Sequence, residues 1–146
     1  MAEILYIYEG DKALSSDREP RWLGVDELDT FNKHLALCGQ RPLGQNIWDR
    51  VYAEGTMYCL IFENGQPVAR ACVEKYSEDK WEVSDVRVAK EYRNRGLAYD
   101  ACVFVLNYIL ENGRHPTIRT EEDNMAMRRV IAGMGFRPMD QASVPT

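Results

Sequence analysis

The segment Arg93-Asn94-Arg95-Gly96-Leu97-Ala98 lies between two apolar runs with different periodicity. Residues 83–88 have the length and composition of a strand, and residues 97–110 repeat their apolar side chains at helical spacing. A strand, a basic glycine loop and the start of a helix form an anion site, because the first helical turn has unpaired N–H groups and partial positive charge. Gly96 permits close approach of the backbone, and the flanking arginines add donors suited to phosphate. The segment therefore predicts a site for a phosphorylated ligand, although a plain turn has the same pattern.

The size and charge of the chain limit the kind of protein that it can be. It has 146 residues, of which 45% are hydrophobic and 28% are charged, and this composition fits one globular domain over residues 1–146. The formal net charge is −5, so we expect no nucleic acid as a partner. The N-terminus has no leader pattern, and no apolar run is long enough to cross a bilayer. We therefore expect a cytoplasmic protein with no membrane partner.

The cysteines and histidines do not indicate a metal site. No two of the four cysteines form a CxxC pair, and three lie in apolar runs, so we expect buried free thiols in a reducing compartment. With two histidines in the chain, a zinc site is not expected. We interpret His34 as a surface residue of a helix and His115 as a loop residue.

Periodicity predicts an α+β domain with the order β, α, α, β, β, β, α, β, α and a short final strand. Glu63-Asn64-Gly65-Gln66 is typical of a type I′ hairpin and joins the first two strands of an antiparallel meander. The predicted strands are residues 4–8, 57–62, 68–76, 81–88, 117–120 and 136–139, and the predicted helices run from Val25 to Gly39, around Ile47 to Val51, over 97–110 and over 124–134.

The third meander strand has an irregular spacing of apolar residues. In a regular strand Val83 and Val86 would point to opposite faces, whereas Val86 and Val88 would share one. Either both faces are buried, or the strand contains an extra residue between Ser84 and Arg87, a β-bulge. A bulge would free backbone N–H and C=O groups for a ligand that lies beside the strand.

Together these features resemble the acyl-CoA site of the GNAT superfamily of acetyl-CoA-dependent N-acetyltransferases. The family pattern Gln/Arg-x-x-Gly-x-Gly/Ala is met by Arg93, Gly96 and Ala98. Asn124, followed by Gly135-Phe136, is similar to the last family motif, in which an Asn opens a helix and a Gly-Phe closes it. The resemblance implies a GNAT fold, with a mixed, mostly antiparallel sheet of about six strands flanked by about four helices.

The resemblance also implies acetyl-CoA as the acyl donor, with no metal. In the family the loop amides hold the pyrophosphate, the bulged strand donates an N–H to the thioester oxygen, and the end of that strand pairs with the pantetheine arm. Val86 or a neighbour would be the N–H donor here. The cofactor-binding residues implied in this way are Val86, Val88, Arg93, Asn94, Arg95, Gly96, Leu97, Ala98 and Asn124.

Two carboxylates are candidates for the general base. Glu82 lies at the position where histone-acetylating members carry a catalytic Glu, and Asp85 lies nearer the suspected bulge. The alternative for each is a solvated strand residue or a cross-strand partner of Lys or Arg. Glu74, Glu121 and Tyr99 remain alternatives.

One position departs from the family. Many members carry a Tyr seven residues after the Asn, which can protonate the departing thiolate, and Ile131 stands there in this chain. The implied function is transfer of an acetyl group to a primary amine of a small molecule or peptide, by direct attack in a ternary complex. The alternative is a non-catalytic acyl-CoA-binding module, which Ile131 favours. A homodimer is compatible with the resemblance.

Overall fold

The computed structural model describes residues 2–139. Over that range the chain forms seven strands, four α-helices and one short 3₁₀ turn. In chain order they are β1 (Glu3–Ile7), β2 (Arg21–Trp22), α1 (Leu28–Leu37), α2 (Gln45–Ala53), β3 (Met57–Glu63), β4 (Gln66–Glu74), β5 (Lys80–Val88), the 3₁₀ turn (Lys90–Tyr92), α3 (Leu97–Glu111), β6 (His115–Glu121), α4 (Met125–Met134) and β7 (Arg137–Pro138).

The strands form one mixed sheet in the order β2-β3-β4-β5-β6-β1-β7. Every neighbouring pair is antiparallel except β5 and β6, which run parallel and are connected through α3. A parallel pair needs such a crossover, whereas antiparallel strands can be joined by tight turns. The β3–β4 turn has φ of 51° at Asn64 and 77° at Gly65, as the predicted type I′ hairpin requires. The expected α+β class and mostly antiparallel sheet are confirmed.

Helices cover both faces of the sheet and bury separate apolar clusters. Leu106 of α3 and Ile131 of α4 are fully buried in the larger cluster on one face. On the other face, Phe31 of α1, Trp48 of α2 and Leu60 of β3 form a smaller aromatic cluster. Burying one such side chain stabilises a fold by about 1.5–3 kcal/mol, so each helix is held to its own face.

The structure corrects the interpretation of both histidines. His34 is fully buried, and its Nδ1 lies 2.8 Å from the carbonyl oxygen of Pro67, to which it donates. Burial lowers the pKa of His34 to about 4, so the ring is neutral near pH 7. His115 is the first residue of β6 and donates its N–H to the Asp79 carbonyl at 2.8 Å. Helix periodicity did not reveal that α1 turns His34 toward the sheet.

Other expectations concern short or local features. The two-residue β2 was not predicted, because two residues carry no periodic signal.

All four cysteines are free thiols, and three of them are buried. Within residues 2–139, no helix is long and apolar enough to span a bilayer. The described part of the chain contains no group of three or more His, Cys, Asp or Glu side chains that could hold a metal ion.

Candidate active site

The predicted bulge lies in the second half of β5. Arg70 of β4 pairs with Arg87, and Cys72 of β4 pairs with Ser84, so β5 advances by three residues while β4 advances by two. Asp85, inside that step, has φ of 48°, in the left-handed region. The bulge resets the alternation of the strand, and all three valines of its irregular pattern consequently pack against the same core. The bulge explains the irregular spacing, although both faces of β5 are also buried over residues 81–83.

Beyond the bulge, β5 separates from β6. The two strands pair only from Lys80 to Val83. Ala89 N–H donates to Val68 O at 2.9 Å, so Val88 and Ala69 form a non-hydrogen-bonded antiparallel pair. The N–H and C=O of Val88 therefore point away from β4 and toward the side on which β6 has diverged.

A pocket of about 550 Å³ opens at this separation. Its walls come from four strands and from the start of α4, and its lining is rich in carboxylates. The lining residues are Glu3, Glu74, Tyr76, residues 82–86 of β5, residues 118–120 of β6, Asn124 and Met127.

The basic loop ends in an uncapped helix start. Gly96 is the N-cap of α3 with φ of 83°, and no side chain accepts a hydrogen bond from the first turn. Asn94 also has a left-handed φ, of 65°. A Cβ placed on Gly96 would meet no heavy atom within 4 Å, so the space beside Gly96 is open. These are the properties of an anion site, since the first-turn N–H groups can donate outward.

The two arginines of the loop lie beside this space. Arg93 Nε donates to the outward-pointing Val88 carbonyl at 3.1 Å. Arg95 lies over the Tyr92 ring, 5.1 Å from its centroid, and donates to the Glu91 carbonyl at 3.3 Å. Their charges remain at the loop, and the Val88 oxygen can accept a second bond through its other lone pair.

Glu82 is a nearly buried carboxylate in the pocket wall, with 6% of its surface exposed. Arg119 Nε of β6 donates to its Oε1 at 3.0 Å. Burial raises the pKa of Glu82 above its ordinary value, and the opposing effect of Arg119 does not cancel this. Its neighbour across the sheet, Glu74, accepts a hydrogen bond from Ser84 Oγ at 3.0 Å. A carboxylate with a raised pKa is suited to accept a proton.

Asp85 has a different environment, although it lines the same pocket. Tyr58 OH donates to its Oδ2 at 2.6 Å, and Arg70 Nη2 donates to its Oδ1 at 3.0 Å. Arg70 is itself buried and also donates to Gln40 Oε1 at 2.7 Å. Both carboxylate oxygens of Asp85 are therefore engaged, and its side chain anchors the bulge to β3 and β4.

Asn124 lies at the pocket end of α4. Its Oδ1 accepts the Met127 N–H at 3.1 Å and so caps the helix. Gly135, with φ of 91°, closes the same helix, and Phe136 packs on Tyr8 with ring centroids 5.5 Å apart. The Asn and Gly-Phe positions thus mark the two ends of one helix, as the sequence indicated.

A comparison with family models matches residues 21–136 to the acetyltransferase (GNAT) family. The chain belongs to this family. The match includes the bulged strand, the glycine loop and the α4 helix. A search of curated proteins found no match.

Solved structures share the GNAT fold with this chain. A GNAT acetyltransferase from Novosphingobium aromaticivorans is 21% identical over 94% of this chain, with a TM-score of 0.74. One from Colwellia psychrerythraea is 17% identical over 93% of this chain, also with a TM-score of 0.74. The chain spans 59% and 52% of the lengths of these two proteins. AAC(6′)-Iy, solved with the bisubstrate analogue CoA-S-monomethyl-acetylneamine, is 13% identical over 90% of this chain and 98% of its own, with a TM-score of 0.69.

Within this GNAT domain, the position of the frequent family Tyr is part of the core. Ile131 is fully buried. Tyr99, the other aromatic candidate near the loop, is half-buried against the larger core and passes close to Gly133 of α4. Tyr99 thus packs α3 against α4.

Sequence reasoning missed the residues that surround Glu82. Arg119 is 37 positions away in the chain, and it meets Glu82 because β5 and β6 are neighbours. Tyr76, whose OH lies 2.8 Å from Thr117 Oγ1, reaches the pocket from the turn after β4. No local motif marks either residue, and only the alternation of β6 could have placed Arg119 on the polar face.

Proposed function

We propose that this GNAT domain is an N-acetyltransferase that moves an acetyl group from acetyl-CoA to a primary amine of a small molecule or peptide. The observation that carries the proposal is that β5 lines the pocket with residues 82–86 and leads along the chain to the uncapped start of α3. A pocket beside free strand groups and an anion site suits a ligand with a thioester at one end and a diphosphate further along. We further propose that the protein acts in the cytoplasm.

In this proposal the donor is held mostly by backbone groups. The amides of residues 95–98, with Asn94 in its left-handed conformation, bind the diphosphate, and Arg93 adds charge beside them. The outward N–H and C=O of Val88 pair with the pantetheine arm, and Asn124 contacts the same arm. The Val86 N–H donates to the thioester oxygen as negative charge develops there.

Glu82 is the proposed general base. The attacking amine must lose a proton, and a nearly buried carboxylate with a raised pKa is a better acceptor than an exposed one. Arg119 holds the carboxylate in place. Asp85 is the less suitable candidate, since both of its oxygens already accept hydrogen bonds. The carboxylates of Glu3 and Glu74 in the same wall favour an acceptor that arrives as a cation.

A second candidate function is a non-catalytic module that binds acyl-CoA. The buried Ile131 favours it, because the position of the frequent family Tyr supplies no acid for the departing thiolate. Both candidates share the donor site and differ only in turnover.

Ligand-dependent thermal unfolding tests the shared part. Acetyl-CoA and CoA at about 100 times Kd should each stabilise the protein by about 2.7 kcal/mol, and ATP should have a smaller effect. No stabilisation by either CoA species would contradict both candidates. Release of free thiol from acetyl-CoA, across polyamines, aminoglycosides and peptides with free N-termini, then separates them. Binding without thiol release for every amine would favour the module.

A further inference from the structure

The segment between β1 and β2, residues 8–20, crosses α3 and is attached to it at two positions. Leu14 N–H donates to Asn107 Oδ1, and Asn107 Nδ2 donates back to the Leu14 carbonyl, both at 2.9 Å. Nearer the start of the helix, Arg18 Nη1 donates to Asp100 Oδ2 at 3.2 Å. Positions 100 and 107 are two helical turns apart on one face of α3. We call this segment the α3 strap.

Arg18 also reaches the loop in front of α3. The same Nη1 donates to the Arg95 carbonyl at 3.1 Å. In a trans peptide the C=O of one residue and the N–H of the next point in opposite directions. A carbonyl of Arg95 fixed toward the strap therefore directs the Gly96 N–H away from the strap. Arg18 thus sets the orientation of one peptide among those proposed to hold the diphosphate.

Asp100 makes that site electrostatically sensitive. It lies in the first turn of α3 and only 4% of its surface is exposed. A carboxylate at this place interacts well with the helix dipole, but its negative charge lies close to the amides that would bind another anion. An ion pair with Arg18 offsets that charge. Without the arginine, a buried uncompensated carboxylate would remain beside the anion site.

We propose that Arg18 is a positioning residue of the acyl-CoA site. It orients the Arg95–Gly96 peptide and neutralises Asp100, so that the loop accepts the diphosphate of CoA. Arg18 acts through the loop and the first turn of α3, and not by touching the reacting atoms. The inference rests on the proposed function, because it requires an acyl-CoA at this loop.

Isothermal titration of the intact protein with two ligands tests this inference. CoA carries the diphosphate, whereas S-acetylpantetheine has the thioester and the pantetheine arm without it. We expect Arg18→Ala to weaken CoA binding about tenfold or more, while the affinity for S-acetylpantetheine changes less than about twofold. A general loss of structure would weaken both ligands alike, so the ratio of the two effects identifies the positioning role.

Two further variants separate charge from geometry. In Arg18→Lys the ammonium group can replace the single nitrogen that makes both bonds, so we expect CoA affinity to lie near that of the wild type. In the double variant Arg18→Ala/Asp100→Asn the buried charge is gone, and part of the lost affinity should return. If Arg18→Ala does not fold, Arg18→Gln replaces it with the same expectation.

Arg21→Ala is the matched control. Arg21 follows the strap in β2 and forms an exposed ion pair with Glu27 at 2.8 Å. It makes no contact with the loop that would affect an anion there, and we expect its CoA affinity to change less than about twofold.

The outcomes distinguish this inference from the function on which it rests. If the wild type binds no CoA, the proposed function and the inference both fail. If the wild type binds CoA and Arg18→Ala binds it equally well, the inference alone is wrong. It is also wrong if Arg18→Ala weakens CoA and S-acetylpantetheine by the same factor.

Discussion

The proposed donor end of the site, between β5 and the start of α3, is made mainly of backbone groups, whereas the proposed acceptor pocket is lined by side chains from four strands. At the donor end a bulge, the outward peptide groups of Val88 and the left-handed Gly96 create the surface. In the pocket, Glu82 depends on Arg119 of the neighbouring strand. A backbone site needs only a few residues that permit a conformation, and a side-chain site needs several residues that meet in space.

This difference explains why the sequence predicts a cofactor and does not predict an acceptor. The conformations of the donor end are local, so a short motif specifies them. The pocket depends on strand order and register, which no short motif contains. Four experiments, in order of decreasing effect, can contradict or refine this contrast.

The largest effect is expected at Gly96, where a side chain should disrupt the backbone site. Gly96→Leu adds a Cβ at a φ of 83° and fills the open space beside Gly96. We expect the affinity for CoA, measured by isothermal titration, to fall at least about a hundredfold, or about 2.7 kcal/mol.

Gly113→Leu is the matched control for that variant. Gly113 follows α3 and has φ of 70°, and a Cβ added there would likewise meet no heavy atom within 4 Å. Its backbone strain should be similar, about 1–2 kcal/mol in unfolding free energy, with CoA affinity retained. Equal losses of CoA affinity in the two variants would show that strain alone explains the Gly96 effect.

The second effect concerns the pocket. Glu82→Gln keeps an acceptor for Arg119 but cannot take a proton, so we expect kcat to fall about a hundredfold or more with the Kd for CoA unchanged. In the wild type, kcat/KM should fall as the pH drops through the pKa of Glu82, which burial raises above its ordinary value. This fall of kcat/KM at acidic pH should be absent in Glu82→Gln.

Asp85→Asn provides the comparison, because its Oδ1 can still accept from Arg70, and its Nδ2 can donate to the Tyr58 hydroxyl in place of the bond that Tyr58 donates to Asp85. Turnover of both variants is measured as the rate of thiol release from acetyl-CoA over a range of pH. If Glu82→Gln has normal turnover and Asp85→Asn does not, the choice of base is wrong.

The third effect is a pH dependence of stability that arises at His34, on the face of the sheet covered by α1. His34 titrates at about 4 in the fold and at 6.5 when unfolded, so the unfolded state binds more protons between these values. Unfolding free energy should therefore fall by about 2 kcal/mol as the pH drops from 7 to 5. His34→Asn should flatten this slope in urea unfolding, and His115→Gln, at an exposed position, should not. If the dependence of unfolding free energy on pH is unchanged in His34→Asn, His34 is not the group responsible.

The smallest effect is expected at Asn124, which caps α4 and is also proposed to contact the pantetheine arm. Asn124→Ala removes the cap on the Met127 N–H and should cost about 1 kcal/mol, which lowers Tm by about 2–4 °C. Asn124→Asp keeps the cap acceptor but loses the amide donors. If Asn124 contacts the pantetheine arm, Asn124→Asp should retain stability and bind CoA more weakly. Wild-type affinity in Asn124→Asp would restrict Asn124 to capping.

Prediction from the sequence succeeded where physical rules act between near neighbours. The valine spacing gave a bulge as one of two explanations, and Asn64-Gly65 predicted the hairpin. Prediction failed where the environment of a side chain depends on a residue that is distant in the sequence. The burial of His34 depends on the carbonyl of Pro67, which is 33 positions away.

The sequence by itself determined the local features of the proposed acyl-CoA loop, namely a glycine suited to positive φ, a helix start without a side-chain cap and a strand with irregular valine spacing. Those features depend on the steric limits of residues within one or two turns of each other. Only the tertiary structure decided that Glu82 meets Arg119 and that Arg18 meets Asp100, which are 37 and 82 positions apart. Such pairs form because strand order and burial bring distant charges together, and burial then makes each charge depend on its partner.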